Sequence, residues 1–393
     1  MSMDIKEKVL DLEDEVIRLR RDFHKHPELG FKEFRTAKKV AGYLEDLGLE
    51  VETNIAKTGV VGVLRGSEPG KTLMLRADMD ALPIQEQNDF TYKSAVPGLM
   101  HACGHDGHTA MLLVAAKILS EYKDQIKGNI KFVFQPNEET AAAKMMIDEG
   151  VLEDPDIDGA FGIHLWTPIE SGKIAISEGA VMGGLYEFEI DIKGKGGHTS
   201  APQQAVDPIL TASDLIQTVQ SIQTREIDPL KPTTIMFGEV KAGTATNIIP
   251  EEAELRGTIR YLYRDIEENP AQPKKRFERI VENVCNTHNA EYDIEYIVES
   301  PPVYNNSEMV KKAKKTAEEV LDDKDKIVDY TNLAGEDFGE FSDAVPSTFY
   351  FVGTGNKEKG TDYAHHHPKF DIDEDTLKTG VEMHVRSALN YLK

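Results

Sequence analysis

The segment His101-Ala102-Cys103-Gly104-His105-Asp106-Gly107-His108 places five potential metal ligands within eight residues, one of them among only two cysteines in the chain. Cys103 and His105 stand two apart, so in an extended or tightly turned segment both side chains project to one side. A thiolate beside an imidazole suits zinc, and imidazole suits several other divalent ions. The glycines at 104 and 107 argue for a shaped loop rather than a chance surface cluster.

More ligand types stand where apolar runs end. Arg76-Ala77-Asp78-Met79-Asp80 closes one run, Phe134-Gln135-Pro136-Asn137-Glu138-Glu139 a second, and Gly162-Ile163-His164 a third. Catalytic groups in open α/β sheets collect outside the carboxyl ends of strands. Adjacent glutamates are commonly a solvated face, and a single His after a strand is commonly structural. Strand ends that together supply Asp, Cys/His, Glu/Glu and His make one joint site the economical reading. A late run, His365-His366-His367-Pro368, adds imidazoles.

These residues need a frame to bring them together. Residues 3–26 carry apolar positions at helical spacing (Val9, Leu12, Val16, Leu19, Phe23), and Pro27 marks the stop. A second helix is expected over 33–47, closed by Gly48, and an Ala- and Leu-rich one over about 107–122. Val60–Leu64, Thr72–Ala77, Ile130–Gln135 and Ala160–Leu165 read as buried strands. Strands alternating with helices predict an α/β layer around a mostly parallel sheet.

The texture changes near 184. Tyr186–Lys193 alternates apolar and polar residues, as a half-exposed strand does. Next come a helix at about 207–224, strands at Thr233–Lys241 and Ala253–Tyr261, a helix at 272–288 and a strand at Glu291–Val298. This β-α-β-β-α-β order is that of a ferredoxin-like sandwich. It sits between two stretches of α/β pattern, since 306–321 is again helical and Ser347–Val352 again a strand. The expected division is therefore 1–183 and 300–393 for one discontinuous domain, with 184–299 inserted.

Composition limits the function classes. A net charge of −24 opposes nucleic-acid or anionic-membrane partners. No apolar run reaches the ~18 residues of a membrane span, and the N-terminus has no apolar signal region. Two cysteines in 393 residues fit a reducing cytoplasm rather than a disulfide framework.

Long motifs now carry a resemblance. They are RRDFHKHPELGFKE at 20–33, RADMDALP at 76–83, MHACGHDGHTAML at 100–112, FQPNEE at 134–139 and GIHLW at 162–166. KGKGGHTSAP at 193–202, GTATNIIPEEAELRGTIR at 243–260, GEDF at 335–338 and HHPKFDID at 366–373 continue the series. Across nearly its whole length the chain resembles the metal-dependent amidohydrolases of the aminoacylase, hippurate hydrolase and auxin-conjugate hydrolase group. The resemblance implies a zinc-exopeptidase-like catalytic domain, with a central mixed sheet flanked by helices and an inserted ferredoxin-like α+β domain acting as lid and dimerisation module. It implies two divalent ions, zinc or manganese, with cobalt and nickel as further options. Cys103, His105, Glu139, His164 and His366 match the family's ligands, with His365 and His367 as fallbacks in the three-His run. Glu138 matches the general base, and Asp80 the residue that orients the centre from behind.

The physical account agrees with that assignment. Amide hydrolysis needs a nucleophile at neutral pH and stabilisation of an oxyanion; a two-metal site lowers the pKa of a water and polarises the carbonyl. A neighbouring carboxylate must take the water's proton and pass it to the departing amine. Two consecutive glutamates on an irregular turn can divide that labour, one facing metal and one facing water.

By the same resemblance, His198 steadies the tetrahedral oxyanion. Asn247 holds the substrate's carboxylate or its amide region. Arg260 either pairs with that carboxylate or is a structural ion-pair partner. The chain departs from the pattern at Asn137, where alanine is usual, at Thr140-Ala141-Ala142-Ala143, where Gly-rich sequence is usual, and at Thr167 in place of proline. The expected function is a cytoplasmic hydrolase of small-molecule N-acyl amino acids, a homodimer or tetramer through the inserted domain. A dipeptidase or carboxypeptidase, or an N-acetyl-diaminopimelate deacetylase, is the alternative.

Overall fold

The computed structural model describes residues 2–264 and 272–392, which divide into two compact units. The first comprises Met1–Val181, Val303–Thr331 and Asp337–Lys393; the second comprises Met182–Pro302 and Asn332–Glu336. The short stretch 332–336 carries no helix or strand, so no periodicity assigns it to the second unit in advance.

The first unit is built on an eight-stranded sheet. In spatial order the strands are Glu50–Ile55, Gly59–Arg65, Lys127–Gln135, Glu68–Asp78, Gly159–Glu170, Ser347–Gly355, Ile174–Ala175 and Ile327–Val328. The four from Lys127–Gln135 to Ser347–Gly355 run parallel. Antiparallel pairings flank them, so the sheet is mixed. The central strands read as unbroken apolar runs because both faces are covered; Ser347–Thr354 is buried at every position. Parallel order puts the ends of Glu68–Asp78 and Lys127–Gln135 on the same side, and that places Asp80 near Glu138.

Helix His105–Glu121 is buried almost all round, because helices Glu13–Lys25 and Leu377–Tyr391 and the strand Glu68–Asp78 all pack on it. It starts two residues earlier than its periodicity suggests. Gly104 precedes it at φ +95°, a left-handed conformation that glycine adopts without cost. His105 is thereby the first helical residue. The expected helix over 3–26 is two helices, Ser2–Asp11 and Glu13–Lys25, divided at Leu12. Among the described residues, no helix is long and apolar enough to cross a membrane.

The second unit has a four-stranded antiparallel sheet in the order Thr233–Ala242, Glu252–Tyr261, Gly184–Lys193, Glu291–Ser300. Helices Pro208–Thr218 and Pro273–Thr287 pack on each other and on the sheet. Their core is Phe188, Ile190, Ile192, Leu215, Leu255, Ile259, Phe277 and neighbours. The helix expected over 207–224 is shorter. Asp207 caps it through the Ile209 and Leu210 amides, and it gives way to a π-turn at Ile222–Glu226.

Candidate metal centre

Four ligand-bearing segments meet in the first unit. Cys103, His105 and His164 are buried, and their donor atoms lie within 4.8 Å of one another. Cys103, Glu139 and His366 form a second such triple, and His105, Glu138 and Glu139 a third. Cys103, His105 and Glu139 each belong to two of these, so the three groups form one continuous cluster. The Sγ of Cys103 is 3.7 Å from His164 Nε2, and His366 Nε2 is 3.3 Å from Glu139 Oε1.

Hydrogen bonds fix which nitrogen of each ring faces the cluster. The Nδ1–H of His105 donates to the Asp80 carbonyl at 2.9 Å and to Asp80 Oδ1 at 3.1 Å, leaving Nε2 as an acceptor. His164 Nδ1–H donates to the Leu165 carbonyl at 2.8 Å, which likewise leaves Nε2 for the cluster. His105 Nε2 and Glu139 Oε1 are buried polar atoms with no hydrogen-bond partner in the protein. Buried polar groups are nearly always satisfied, so these two orphans fit a cation between them. The donor set of thiolate, imidazoles and carboxylate suits a borderline divalent ion.

Leu165 organises the other histidines through its main chain. Its N–H donates to His108 Nε2 at 2.9 Å, and its carbonyl also accepts from His365 Nε2 at 3.0 Å. His108 gives its Nδ1–H to Asp78 at 2.6 Å, so both of its nitrogens are engaged. The His365 ring stacks on Trp166 at 4.1 Å. His367 accepts from the Lys369 amide and stacks on Tyr363. Of the three-His run, His366 is the one grouped with Cys103 and Glu139, and its backbone is left-handed at φ +63°. Thr167, the departure from proline, donates its hydroxyl to the Tyr363 carbonyl at 2.9 Å and so ties this loop to the strand carrying His164.

The electrostatics follow from burial among charges. Burial, together with the nearby rings of His108 and His365, holds the His164 imidazole well below its ordinary pKa, so it is neutral and ready to ligate. Burial also pushes His105 down, but Asp78, Asp80 and Glu139 outweigh it and raise its pKa to about 10. Without a cation the pocket is anionic enough to hold a proton there.

Glu138 and Glu139 sit on a single 3-10 turn, Glu138–Thr140. Asp80 accepts from both of their amides, at 3.1 and 3.2 Å. Sequence reasoning missed two further carboxylates. Glu33 accepts from the Asn137 amide at 2.9 Å, and Asp337 accepts from the Ala142 and Ala143 amides, both at 2.8 Å. Asn137 itself is left-handed at φ +50°, which asparagine tolerates better than alanine. Asp106 faces away from the cluster: with Arg20 at 2.8 Å and His24 at 2.8 Å it forms a buried network, and Arg20 continues it to Asp371 and Glu374. His101 is buried, with neither ring nitrogen hydrogen-bonded.

The remaining expected residues belong to the second unit. His198 lies on the short strand Gly197–His198, paired with Ile248–Ile249, which puts Asn247 beside it. His198 Nδ1 accepts from the Ser200 amide at 3.1 Å, so a neutral ring carries its proton on the exposed Nε2. Arg260 is half-buried and donates to the Leu333 carbonyl at 3.2 Å. It forms no ion pair among the described residues.

Comparisons with known proteins agree with this geometry. A model described as peptidase family M20/M25/M40 matches residues 74–390. Thermostable carboxypeptidase 1 of Saccharolobus solfataricus is 41% identical, with 98% of each chain covered. IAA-amino acid hydrolase ILR1-like 4 of Arabidopsis thaliana is 36% identical over 97% of this chain and 87% of its own. A solved Bacillus subtilis protein, YXEP, described as a dinuclear metal binding peptidase of the M20 family, superposes with a TM-score of 0.81 at 32% identity, covering 97% of this chain and 99% of its own.

Proposed function

Because this chain belongs to peptidase family M20/M25/M40, whose members hydrolyse amide bonds at a dinuclear metal site, we propose that it cleaves N-acyl amino acids to a carboxylic acid and a free amino acid. The observation that carries the reading is the pair of ligand triples sharing Cys103, with Glu138 on the same turn as Glu139. In this reading Cys103, His105, Glu139, His164 and His366 hold the ions. When bound, two divalent ions supply Lewis acidity for the carbonyl and lower the pKa of the attacking water.

The chain's own groups do the rest. Glu138 takes the water's proton and returns it to the leaving nitrogen. Its Oε2 lies 3.9 Å from His105 Nε2, which places the carboxylate against the ligand cluster. Asp80 holds His105 and both glutamates in register. His198 donates Nε2–H to the oxyanion, and Asn247 and Arg260 hold the substrate's carboxylate end. The thiolate of Cys103 supports zinc, with manganese as the second choice. Neither cysteine is in a disulfide, which supports a cytoplasmic enzyme. Exposed Met236 and Val240 on the edge strand Thr233–Ala242 support a homodimer or tetramer through the second unit.

Glu138→Gln tests the core of this reading. Turnover should fall by ~10²–10⁴ with metal content unchanged; near-normal activity removes Glu138 as the base. The name of the 41% identical relative favours a second reading, a carboxypeptidase. A panel of N-acetyl amino acids, N-acetyl-diaminopimelate, hippurate and dipeptides, assayed with zinc and with manganese, separates the two by relative kcat/KM.

A further inference from the structure

The turn that bears both glutamates is held almost entirely by carboxylates. Of its main-chain N–H groups, Asn137 goes to Glu33, Glu138 and Glu139 to Asp80, and Ala142 and Ala143 to Asp337. The turn needs such support because two of its non-glycine residues are left-handed, Asn137 at φ +50° and Ala141 at φ +65°. Asparagine accepts that conformation locally, but alanine gains nothing to offset it, and such strain persists only where the surroundings over-determine it.

Asp337 is itself over-determined. Its Oδ1 accepts from Arg76 Nη2 at 3.0 Å and from Gln135 Nε2 at 2.7 Å; its Oδ2 takes both alanine amides. Arg76 and Gln135 stand on neighbouring parallel strands and are hydrogen-bonded to each other at 2.9 Å. The dull alternative for Asp337 is a cap on the helix that it precedes, Phe338–Ala344. It makes no such hydrogen bond, and its carboxylate turns instead to the Ala142–Ala143 backbone.

We propose that Asp337 is a positioning residue of the hydrolytic site: it clamps the rear of the Asn137–Ala143 turn, keeps Ala141 left-handed, and so fixes where Glu138 and Glu139 point. Asp80 grips only the front amides, 138 and 139. With Asp337 gone, Ala141 relaxes to negative φ and drags the 3-10 turn with it. This rests on the reading of Glu138 as base and Glu139 as ligand.

The test compares Asp337→Asn, Asp337→Ala and each of these combined with Ala141→Gly. Zinc affinity is measured by chelator competition, kcat and KM on the best panel substrate, and hydrogen exchange of the peptide covering 137–143 in the metal-free protein. Asp337→Asn should weaken zinc binding and lower kcat by ~10-fold or more, change KM less, and speed exchange in 137–143 ahead of the sheet strands. Ala141→Gly, which accepts positive φ freely, should recover at least about threefold of the lost kcat. A purely structural role predicts no such rescue, and its absence overturns the proposal. So does an Asp337→Asn protein with unchanged zinc affinity and kcat. The wild type gives a result whether or not the variants fold: the amides of 142 and 143 should be protected, and their free exchange also overturns it. Glu138→Gln run in parallel keeps the two ideas apart. If that variant is active, the assignment of the base falls; if it is inactive while Asp337→Asn is normal, only the positioning role falls.

Discussion

Gly30 packs so closely on Asn137 that a Cβ at position 30 would lie 1.8 Å from Asn137 Oδ1 and 2.9 Å from Asn137 Cβ. The second distance matters more, because no rotation of the asparagine side chain relieves it. The N-terminal segment preceding the helix Phe34–Asp46 thus sits directly against the residue leading into Glu138.

Gly30→Ala should therefore destabilise the fold by about 1–3 kcal/mol, the usual cost of overpacking, and lower kcat by displacing Asn137. Asn137→Ala in the same chain removes the Oδ1 clash but not the Cβ one, so the double variant should recover part of the loss. A double-mutant cycle in urea measures the coupling; additive effects would refute the contact.

The site shows how far sequence alone carries. Cys103, His105, Glu138, Glu139 and His164 stand out as ligand types clustered in one loop and at the ends of apolar runs, whereas the choice of His366 from the three-His run, and of Glu138 as base beside Glu139, rests on the family resemblance. Asp337 and Glu33 do not stand out, although both fall within quoted motifs. A carboxylate that accepts from a main-chain N–H selects no partner residue type, so nothing in the partner's sequence reports the pair. The strand Glu50–Ile55 escaped for a related reason: at the sheet edge most of its residues are exposed, and it reads as Glu-Val-Glu-Thr-Asn-Ile without a buried face. The central strands, closed on both faces, announce themselves as apolar runs.

Asp80→Ala should weaken zinc binding by ~10-fold. The Asp80 carbonyl still holds His105 Nδ1, so His105 stays in place, and the loss falls on the Glu138 and Glu139 amides. Chelator competition at fixed pH measures it; affinity equal to that of the parent would show that the turn stands without Asp80.

His384 gives a pH dependence. It is fully buried, neither ring nitrogen has a hydrogen-bond partner, and burial lowers its pKa to about 3. The unfolded chain binds the proton near pH 6.5. The folded value lies below the unfolded one, so the stability linked to this group is complete above about pH 6.5 and is lost as pH falls toward 3, at ~1.4 kcal/mol per unit. Between pH 7.5 and 4.5, His384→Leu should lose about 2–3 kcal/mol less than the parent in urea unfolding. Parallel curves for the two proteins would contradict it.

The buried Arg20 network has a consequence for the order in which the molecule is made. Arg20 meets Asp106, 86 residues on, and Glu374, 354 residues on, while the strand Ser347–Gly355 inserts between Gly159–Glu170 and Ile174–Ala175. Contacts of such long sequence separation form slowly, after the loop entropy between them is overcome. The sheet of the second unit also pairs strands far apart in sequence, Gly184–Lys193 with Glu291–Ser300, but all of its segments lie before the strand Ser347–Gly355. The first unit, by contrast, is complete only with its last strand and the loop of His366, both C-terminal to every segment of the second unit. The ligand cluster is therefore complete only once the segment carrying His366 has joined Cys103 and Glu139.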